Sequence, residues 1–299
     1  MSPTTIVVAG ATGDLGGRIA TALLARGASV RALLRPDADG AARDRLTAQG
    51  VDVVAADARD VGSVASACTG AACVVSALNG LGDVILDRQS VLIDAAVRAG
   101  VPRFIPSDFS ADFTRTPAGR NRNFDLRREF MGRADRAPIG VTSILNGAFL
   151  ELLDGDMPLI QSRIRRVLFW GDADQVLDFT AKDDVAAYTA AAALDPGTPR
   201  ILRIAGDSLS VRDMSRILSD TTDGSFRPLR AGGLTSMSAM IGVAKRLAPG
   251  DDAVFPAWQG MQYTRDMFDG RVRLEPLDND RYPDVSWTSV RDRFVVGAA

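Results

Sequence analysis

Three glycines, at positions 10, 13 and 16, constrain the fold of this chain most, because they separate a β-branched apolar run from a helical pattern. The run TIVVA occupies residues 5–9, and apolar residues at helical spacing follow the glycines. Gly10 suits a tight turn, Gly13 leaves space for a phosphate beside the backbone, and Gly16 lets the helix pack closely on its strand. The stretch therefore predicts a strand–turn–helix unit.

The N-terminus of the predicted helix favours an anion, because its first backbone N–H groups and its dipole both present positive charge. We therefore predict that the turn binds the pyrophosphate of a dinucleotide. A glycine-rich turn without any ligand is the alternative, since such turns are common and the spacing alone is weakly specific.

Strands and helices alternate along the first half of the chain. Strands are predicted at residues 5–9, 28–34, 51–55, 72–78, 101–106 and 141–145. Helices are predicted at residues 43–49, 61–68, 86–99 and 124–134, besides the helix after the glycine turn. This order predicts an α/β fold, a doubly wound parallel sheet of the Rossmann type, whose ligands bind at the carboxyl ends of the strands.

Regular alternation fades after residue 150. Strands are predicted at residues 176–179 and 200–204, and helices at residues 183–194, 210–219, 236–247 and 258–268. Ser210 followed by Asp213 predicts a capping box at one helix start. The polar stretch 111–123 predicts a mobile loop.

Charge and cysteine content narrow the class of protein. The chain has 299 residues and a net charge of −2, so we expect no nucleic-acid partner. No stretch approaches the ~20 apolar residues of a membrane span, and the first residues do not resemble a signal peptide. Cys68 and Cys73 are too few for a disulfide framework or a zinc site. We expect a cytoplasmic monomer or homodimer that binds neither a metal nor a membrane.

Histidine is absent, and Lys182 and Lys245 are the only lysines. The absence of histidine removes the commonest general base, the commonest metal ligand and every Ser-His or Cys-His triad. Any chemistry must therefore come from a cofactor, backbone dipoles, carboxylates, hydroxyls or arginine.

Two arginines lie near the end of the second predicted strand, where a dinucleotide fold meets the adenosine ribose. Arg31 and Arg35 lie there, and no acidic residue follows them until Asp37. An acid at this point would bind the ribose hydroxyls of NAD, whereas an arginine would pair with the 2′-phosphate of NADP. We therefore predict NADP(H) as the cofactor, with Arg35 as the principal phosphate partner. Two solvated surface arginines are the alternative.

The carboxyl ends of the next three strands supply further candidate contacts. Asp57, followed by Ala58, would accept from the adenine amino group, or it would serve as a helix cap or a solvated loop acid. Leu78 and Asn79, at the end of the fourth strand, would lie over the central phosphates and ribose. Residues 107–109 follow the fifth strand.

Five motifs occur in order along the chain, which are GATGDLGG, PSDF, VTSILNGAF, RILRIAGDSLSVRDMSRILSD and RYPDVSWTSV. Together they resemble the NmrA-like and isoflavone-reductase-like branch of the atypical short-chain dehydrogenases/reductases. The likeness extends over nearly the whole chain and is weakest at residues 155–170 and 224–258. The first motif is unspecific, whereas PSDF and the closing motif together are fairly specific.

The resemblance implies an NADP-binding Rossmann domain at residues 1–150, to which 172–204 return, and a smaller substrate-binding region at 151–171 and 205–299. Fold and resemblance together predict the following cofactor contacts: Gly10, Thr12, Gly13, Asp14, Leu15, Gly16, Arg35, Asp57, Ala58, Leu78, Asn79, Ser107, Phe109, Arg127, Asn146 and Phe149. Among these, Ser107 and Phe109 would lie near the nicotinamide.

One departure from the family concerns a lysine on the helix before the sixth strand, which in related reductases orients the nicotinamide ribose and helps proton transfer. Counting back from Val141 places Arg127 at that position. Arginine can hold a ribose hydroxyl or an anionic substrate, but with a pKa above ~12 it donates no proton at neutral pH. The candidate catalytic residues are therefore Arg127, Ser107 and Asp108.

We expect an NADPH-dependent oxidoreductase that transfers hydride to a small aromatic, enone or quinone-like acceptor. The proton would come from solvent, from Asp108 or Asp125 if either is buried with a raised pKa, or from Ser107. Four aromatic residues predict the substrate pocket, or else pack in the core: Phe109, Phe113, Phe149 and Trp170. The alternative function is a non-catalytic NAD(P)-binding redox sensor or regulator of the NmrA type, acting through a protein partner.

Overall fold

The computed structural model describes residues 3–222, 224–250 and 252–296. Its strands are β1 (Thr5–Ala9), β2 (Ser29–Leu34), β3 (Asp52–Ala55), β4 (Cys73–Ser76), β5 (Arg103–Ile105), β6 (Gly140–Val141), β7 (Ser143–Leu145), β8 (Ala148–Phe149), β9 (Ile160–Gln161), β10 (Arg166–Trp170), β11 (Leu177–Thr180), β12 (Ile201–Arg203), β13 (Asp207–Leu209) and β14 (Arg227–Gly232). Its α-helices are α1 (Asp14–Ala25), α2 (Gly40–Ala48), α3 (Val61–Cys68), α4 (Gln89–Arg98), α5 (Arg122–Ala134), α6 (Lys182–Leu194), α7 (Val211–Thr221), α8 (Leu234–Leu247), α9 (Ala257–Phe268) and α10 (Val290–Val296). A π-helical segment, Asp83–Arg88, leads directly into α4.

A parallel sheet of six strands has the order β3-β2-β1-β4-β5-β6. All five neighbouring pairs are parallel. The central strands β1 and β4 are almost entirely buried, as expected for continuous apolar strands that helices cover on both faces. This strand order is that of the Rossmann fold, so the predicted α/β class is confirmed.

The core on one face of this sheet joins strand residues to helix residues. Val7 and Val74 from the central strands pack in one cluster with Ile93 of α4 and Phe130 of α5. Phe104 of β5 belongs to the same cluster, and its ring lies 6.3 Å from that of Phe130. Burying side chains of this kind contributes roughly 1.5–3 kcal/mol each. The apolar patterns that predict these elements therefore also stabilise their packing.

The sixth strand is shorter than the predicted span of residues 141–145. Only Gly140–Val141 pairs with β5, and Ser143–Leu145 pairs with β12 instead. At the break, the Thr142 hydroxyl contacts the Pro199 carbonyl at 2.9 Å, and Ser143 N donates to Arg200 O at 2.9 Å. The apolar run is continuous in sequence, but its pairing partner changes within it.

Two compact units divide the chain. The first comprises Met1–Phe109, Leu126–Ile144 and Val185–Leu202, and the second comprises Ser110–Asp125, Leu145–Asp184 and Arg203–Ala299. The segments differ from the predicted boundaries, since residues 110–125, 145–150 and 172–184 group with the second unit. Residues 185–202 return to the first unit, within the predicted 172–204.

The second unit contains two small mixed sheets. One has the order β14-β10-β9 and the other the order β13-β11-β8. The sequence analysis missed β8, β9, β10, β13 and β14. Of these, β8, β9 and β13 have only two or three residues, whereas β10 and β14 lack clear alternation of apolar and polar residues. The predicted capping box of α7 is confirmed, because Ser210 Oγ accepts from Asp213 N at 3.2 Å and Asp213 Oδ2 accepts from Ser210 N at 3.1 Å.

Buried polar contacts fix residues 110–125 within the second unit, in place of the expected mobile loop. Arg120 Nε donates to Asp266 Oδ1 at 2.6 Å, and Asn121 Nδ2 donates to Asp266 Oδ2 at 3.2 Å. Asp266 lies on α9 and is fully buried. Removing one partner of a buried ion pair costs about 3–5 kcal/mol, so these contacts hold the segment firmly against α9.

Candidate functional site

The turn between β1 and α1 requires two of its three glycines for its own geometry. Gly10 has a φ of +87°, a region that favours glycine, and a Cβ there would lie 2.7 Å from the Ala77 carbonyl oxygen. A Cβ at Gly16 would collide with the Gly10 carbonyl. The predicted tight turn and the close approach of helix and strand are both present.

Gly13 differs from Gly10 and Gly16, because the geometry of the turn requires glycine less strongly at this position. Its φ is −80°, and an added Cβ would lie 3.3 Å from the Gly10 carbonyl oxygen. As the N-cap residue of α1 it offers no side-chain acceptor to the first N–H groups of the helix. Thr12 and Asp14 are exposed beside it, and Leu15 is half-buried. This cradle fits a pyrophosphate, for which a helix N-terminus is a favourable site.

The two arginines in and just after β2 have different surroundings. Arg31 Nε donates to Asp52 Oδ2 at 3.1 Å, and Arg31 Nη1 donates to the Ala67 carbonyl at 2.8 Å. Arg35 follows the end of β2, its side chain is 64% exposed, and its Nε lies 3.9 Å from Asp37 Oδ1. Arg31 therefore ties β2 to β3 and α3, whereas Arg35 can reach a ligand at the strand end.

Asp57 is an exposed loop acid after β3. Its Oδ1 accepts from Arg59 N at 3.0 Å, whereas the cap of α3 is Asp60, whose Oδ1 accepts from Gly62 N at 2.8 Å. Asp57 is therefore not the helix cap, one of the roles left open for it. Ala58 beside it is half-buried.

Ser107 joins the carboxyl ends of β4 and β5. Its hydroxyl donates to the Leu78 carbonyl at 2.6 Å, and its N–H donates to Gln89 Oε1 at 2.9 Å. Gln89 is fully buried at the start of α4, and nothing in its sequence context singled it out. The Ser107 hydroxyl proton is thus engaged with the backbone. Asn79, next to Leu78, is exposed.

Asp108 is a buried carboxyl among charged groups of the first unit. It is fully buried, and Arg127 is 8% exposed. Burial raises the pKa of Asp108, while a hydrogen bond from Ser143 and the positive charges of Arg127 and Arg200 oppose that rise. Asp125, the other carboxyl considered as a proton donor, is half-buried and accepts from a backbone N–H of the second unit at 3.0 Å.

Ser143 and Arg200 are the residues beside Asp108 that the sequence analysis missed. Ser143 Oγ donates to Asp108 Oδ2 at 2.6 Å, and Arg200 Nη1 donates to Ser143 Oγ at 2.7 Å. Ser143 lies in the VTSILNGAF motif and Arg200 opens the RILRIAGDSLSVRDMSRILSD motif, but the motifs give neither residue a role. Their partners are 35 and 57 residues away in sequence, so no local pattern indicates the contact with Asp108.

In the second unit, Asn146 and Gly147 are tightly held at the end of β7. The Thr180 hydroxyl donates to the Asn146 carbonyl at 2.6 Å, and a Cβ at Gly147 would collide with the Asp178 carbonyl. Gly147 has a φ of +69°, so glycine is required there. Among the residues that the structure describes, no donor reaches the buried side-chain oxygen Oδ1 of Asn146.

The four aromatic residues predicted as a substrate pocket have separate neighbours. Within the second unit, the fully buried ring of Phe113 lies 6.3 Å from Phe124, and Trp170 lies 5.8 Å from Phe268. Phe149 has Lys182 Nζ 5.8 Å from its ring centroid. Phe109 is a buried residue of the first unit. The contacts of Phe113 are those of a core residue, and a shared pocket for the four stays a prediction.

Across the described part of the chain, none of the helices combines the length and the hydropathy that a membrane span requires. The same residues contain no cluster of three or more acidic or cysteine side chains placed to hold a metal ion.

Comparison with known proteins identifies the relatives of this chain. A model of the NmrA-like family matches residues 2–231. Pinoresinol reductase 1 of Arabidopsis thaliana is 30% identical over 213 residues, which are 65% of this chain and 66%, just under two thirds, of that reductase. Isoflavone reductase homolog IRL of Zea mays is 30% identical over 243 residues, which are 74% of this chain and 75% of that protein.

Solved structures share the fold over almost the full length. The structure of AtPrR2 with NADP+ and (+)pinoresinol has a TM-score of 0.81 at 23% identity and covers 99% of both chains. The NADPH-dependent quinone oxidoreductase QOR2 of Escherichia coli, complexed with NADPH, has a TM-score of 0.76 at 18% identity and covers 98% of this chain and 100% of its own. At these identities the likeness establishes the fold.

Proposed function

Since this chain belongs to the NmrA-like family, we propose that it is an NADPH-dependent reductase of a small aromatic, enone or quinone-like acceptor. Named reductases among its relatives support oxidoreductase chemistry in general. The observation that carries the proposal is the cradle between β1 and α1, in which Gly13 leaves the helix N-terminus open to a pyrophosphate.

Residues of the first unit would hold the cofactor. The glycine turn takes the pyrophosphate, and the exposed Arg35 takes the 2′-phosphate that distinguishes NADP from NAD. The family and the solved relatives with bound NADP+ or NADPH support this choice. The cofactor supplies the hydride, and the protein supplies binding, orientation and exclusion of water.

Arg127 limits the role of the protein in proton transfer. A guanidinium acts as a fixed charge and hydrogen-bond donor, so Arg127 would hold a ribose hydroxyl or a developing negative charge. The Ser107 hydroxyl is engaged with the Leu78 carbonyl. A quinone-like acceptor makes the least demand on such a site, because its reduced anion takes a proton from water.

An assay of NADPH oxidation against a panel of quinones and aromatic enones tests the proposal. We expect turnover with at least one acceptor, and loss of most of that turnover in Arg127→Ala. Arg128→Ala is the matched control, because it removes the neighbouring arginine of the same helix, and it should retain the activity. NADPH binding without turnover across the whole panel would contradict the proposal.

A redox sensor of the NmrA type is the second candidate function. The presence of Arg127 where the family reductases carry lysine favours it, because a protein that only binds the cofactor needs no proton donor. Binding without turnover in the same panel, together with a protein partner whose affinity depends on the bound cofactor, is the outcome that this function predicts.

A further inference from the structure

Four polar side chains of the first unit form one continuous chain of hydrogen bonds. Asp135 Oδ1 accepts from Arg200 Nε at 2.7 Å, and Arg200 Nη1 donates to Ser143 Oγ at 2.7 Å. Ser143 Oγ in turn donates to Asp108 Oδ2 at 2.6 Å. The chain runs from a half-exposed carboxylate, Asp135, to the fully buried carboxyl of Asp108.

The backbone fixes the middle of this chain. Ser143 follows the point at which the strand leaves the six-stranded sheet, and its N–H donates to the Arg200 carbonyl at 2.9 Å. The preceding residue is held as well, because the Thr142 hydroxyl contacts the Pro199 carbonyl at 2.9 Å. Ser143 and Arg200 therefore contact each other through both backbone and side chain, which leaves the hydroxyl little freedom to turn away.

Burial favours the neutral form of Asp108, and the hydrogen bond from Ser143 opposes that preference. Arg200 donates to Ser143 Oγ, and Ser143 Oγ donates its one proton to Asp108 Oδ2. A donor of this kind stabilises the ionised carboxylate. The charged groups that face Asp108 are Arg127 of α5, Asp135 just after α5, and Arg200 just before β12. Two are positive and one is negative, so together they also favour ionisation.

We propose that Ser143 and Arg200 are positioning residues that keep Asp108 ionised as the counter-charge of Arg127. The inference rests on the proposed function in one respect only, which is that Arg127 takes part in the reaction. With Asp108 ionised, the buried guanidinium is compensated and remains in place. With Asp108 protonated, the guanidinium is a buried charge without that compensation, which is costly and favours its displacement.

The test is the titration of Asp108 itself in the cofactor-free protein. Infrared spectroscopy of protein labelled with 13C-aspartate detects the carboxyl bands. The band that is missing in Asp108→Asn belongs to Asp108, and its intensity is followed with pH. We expect this group to be ionised at neutral pH in the unmodified chain. Ser143→Ala and Arg200→Gln should raise the midpoint pH of the Asp108 titration by about one unit, because each substitution removes a contact that favours the carboxylate.

Two control variants separate positioning from general damage. Ser143→Thr keeps the hydroxyl and should retain the original midpoint, and Thr142→Val removes the neighbouring hydroxyl and should also leave it unchanged. Equal midpoints in Ser143→Ala, Arg200→Gln and the unmodified chain would overturn the proposal, as would a carboxyl that stays protonated at neutral pH. Arg200 is partly exposed, so its variant provides the measurement if Ser143→Ala does not fold.

Activity gives a second, separate result. With a productive acceptor, the acid limb of the profile of kcat against pH should move to higher pH in Ser143→Ala and in Arg200→Gln, together with the midpoint of the Asp108 titration. The affinity for NADPH should stay constant. A shifted midpoint with an unshifted kcat profile would overturn the link to Arg127. Failure of every acceptor would reject the proposed function alone, because the titration needs no turnover.

Discussion

Under the proposed function, Arg127 limits which proton chemistry is open to the site. The side chain is almost fully buried in the first unit and faces Asp108, whose pKa burial raises. A lysine at this position could exchange a proton, whereas a guanidinium acts as a fixed charge and hydrogen-bond donor. The pair of Arg127 and Asp108 therefore suits orientation and charge stabilisation, and the proton has to come from elsewhere.

The proposed function gives Arg35 the choice between NADPH and NADH, because its side chain is exposed just after β2 and its Nε lies 3.9 Å from Asp37 Oδ1. We predict that Arg35→Ala weakens NADPH binding about tenfold to a hundredfold, as expected for the loss of a charge-assisted contact to phosphate. The affinity for NADH should change little. Fluorescence titration of both cofactors measures the two dissociation constants.

Arg31→Ala is the matched control for this measurement. Arg31 is bound to Asp52 and to the Ala67 carbonyl, so its loss should lower stability without changing the ratio of the two affinities. Equal losses of NADPH and NADH affinity in Arg35→Ala would rule out the 2′-phosphate contact.

The strand–turn–helix element at the start of the chain contains glycines with different tasks. Gly10 and Gly16 satisfy the turn, since each would bring a Cβ into collision with a backbone carbonyl. Gly13 has an ordinary φ and a milder contact, so its lack of a side chain matters most to a ligand at the helix N-terminus. The three glycines are therefore separable by experiment.

We predict that two alanine substitutions in this element change different properties, one the stability of the protein and the other its affinity for NADPH. Gly16→Ala should lower the free energy of unfolding by about 1–3 kcal/mol, as overpacking does, in a urea titration. Gly13→Ala should change that free energy by less than about 1 kcal/mol but weaken NADPH binding about tenfold or more. A Gly13→Ala protein that binds NADPH like the unmodified chain would contradict the assignment of the pyrophosphate site.

Elements formed by local pattern could be predicted from the sequence. The apolar runs of β1 to β5, the helical spacing between them and the Ser210–Asp213 box are all properties of neighbouring residues, and each is present. The end of β6 at Val141 could not be predicted in this way, because it depends on pairing with β12, about sixty residues later. The same holds for residues 110–125, whose anchor Asp266 lies 145 residues from Asn121.

The candidate site likewise contains residues that local sequence predicts and residues that it does not predict. Gly10, Gly13, Gly16 and Arg35 follow from the strand–helix pattern, because a Rossmann sheet places its turns and strand ends at a common edge. Ser143 and Arg200 do not, because only the folded chain brings them to Asp108. Local sequence therefore predicts where the cofactor is held better than it predicts how the charges around Arg127 are balanced.

Taken over the whole molecule, the chain lacks histidine, and the resemblance to the family reductases predicts arginine in place of their lysine, so the proposed hydride transfer would depend on the cofactor. The family assignment covers residues 2–231, and the fold matches that of solved relatives over almost the full length. The proposed function makes one central claim, that the protein passes a hydride from NADPH to an acceptor and does not merely bind the cofactor.

Single-turnover oxidation of bound NADPH, labelled with deuterium at one or the other C4 position, tests that claim most directly. With an acceptor from the quinone and enone panel, we predict that one of the two labels slows the oxidation and the other does not, because a single C4 hydrogen leaves as hydride. Tight binding of both labelled cofactors with no oxidation, or with oxidation that neither label slows, would contradict the account.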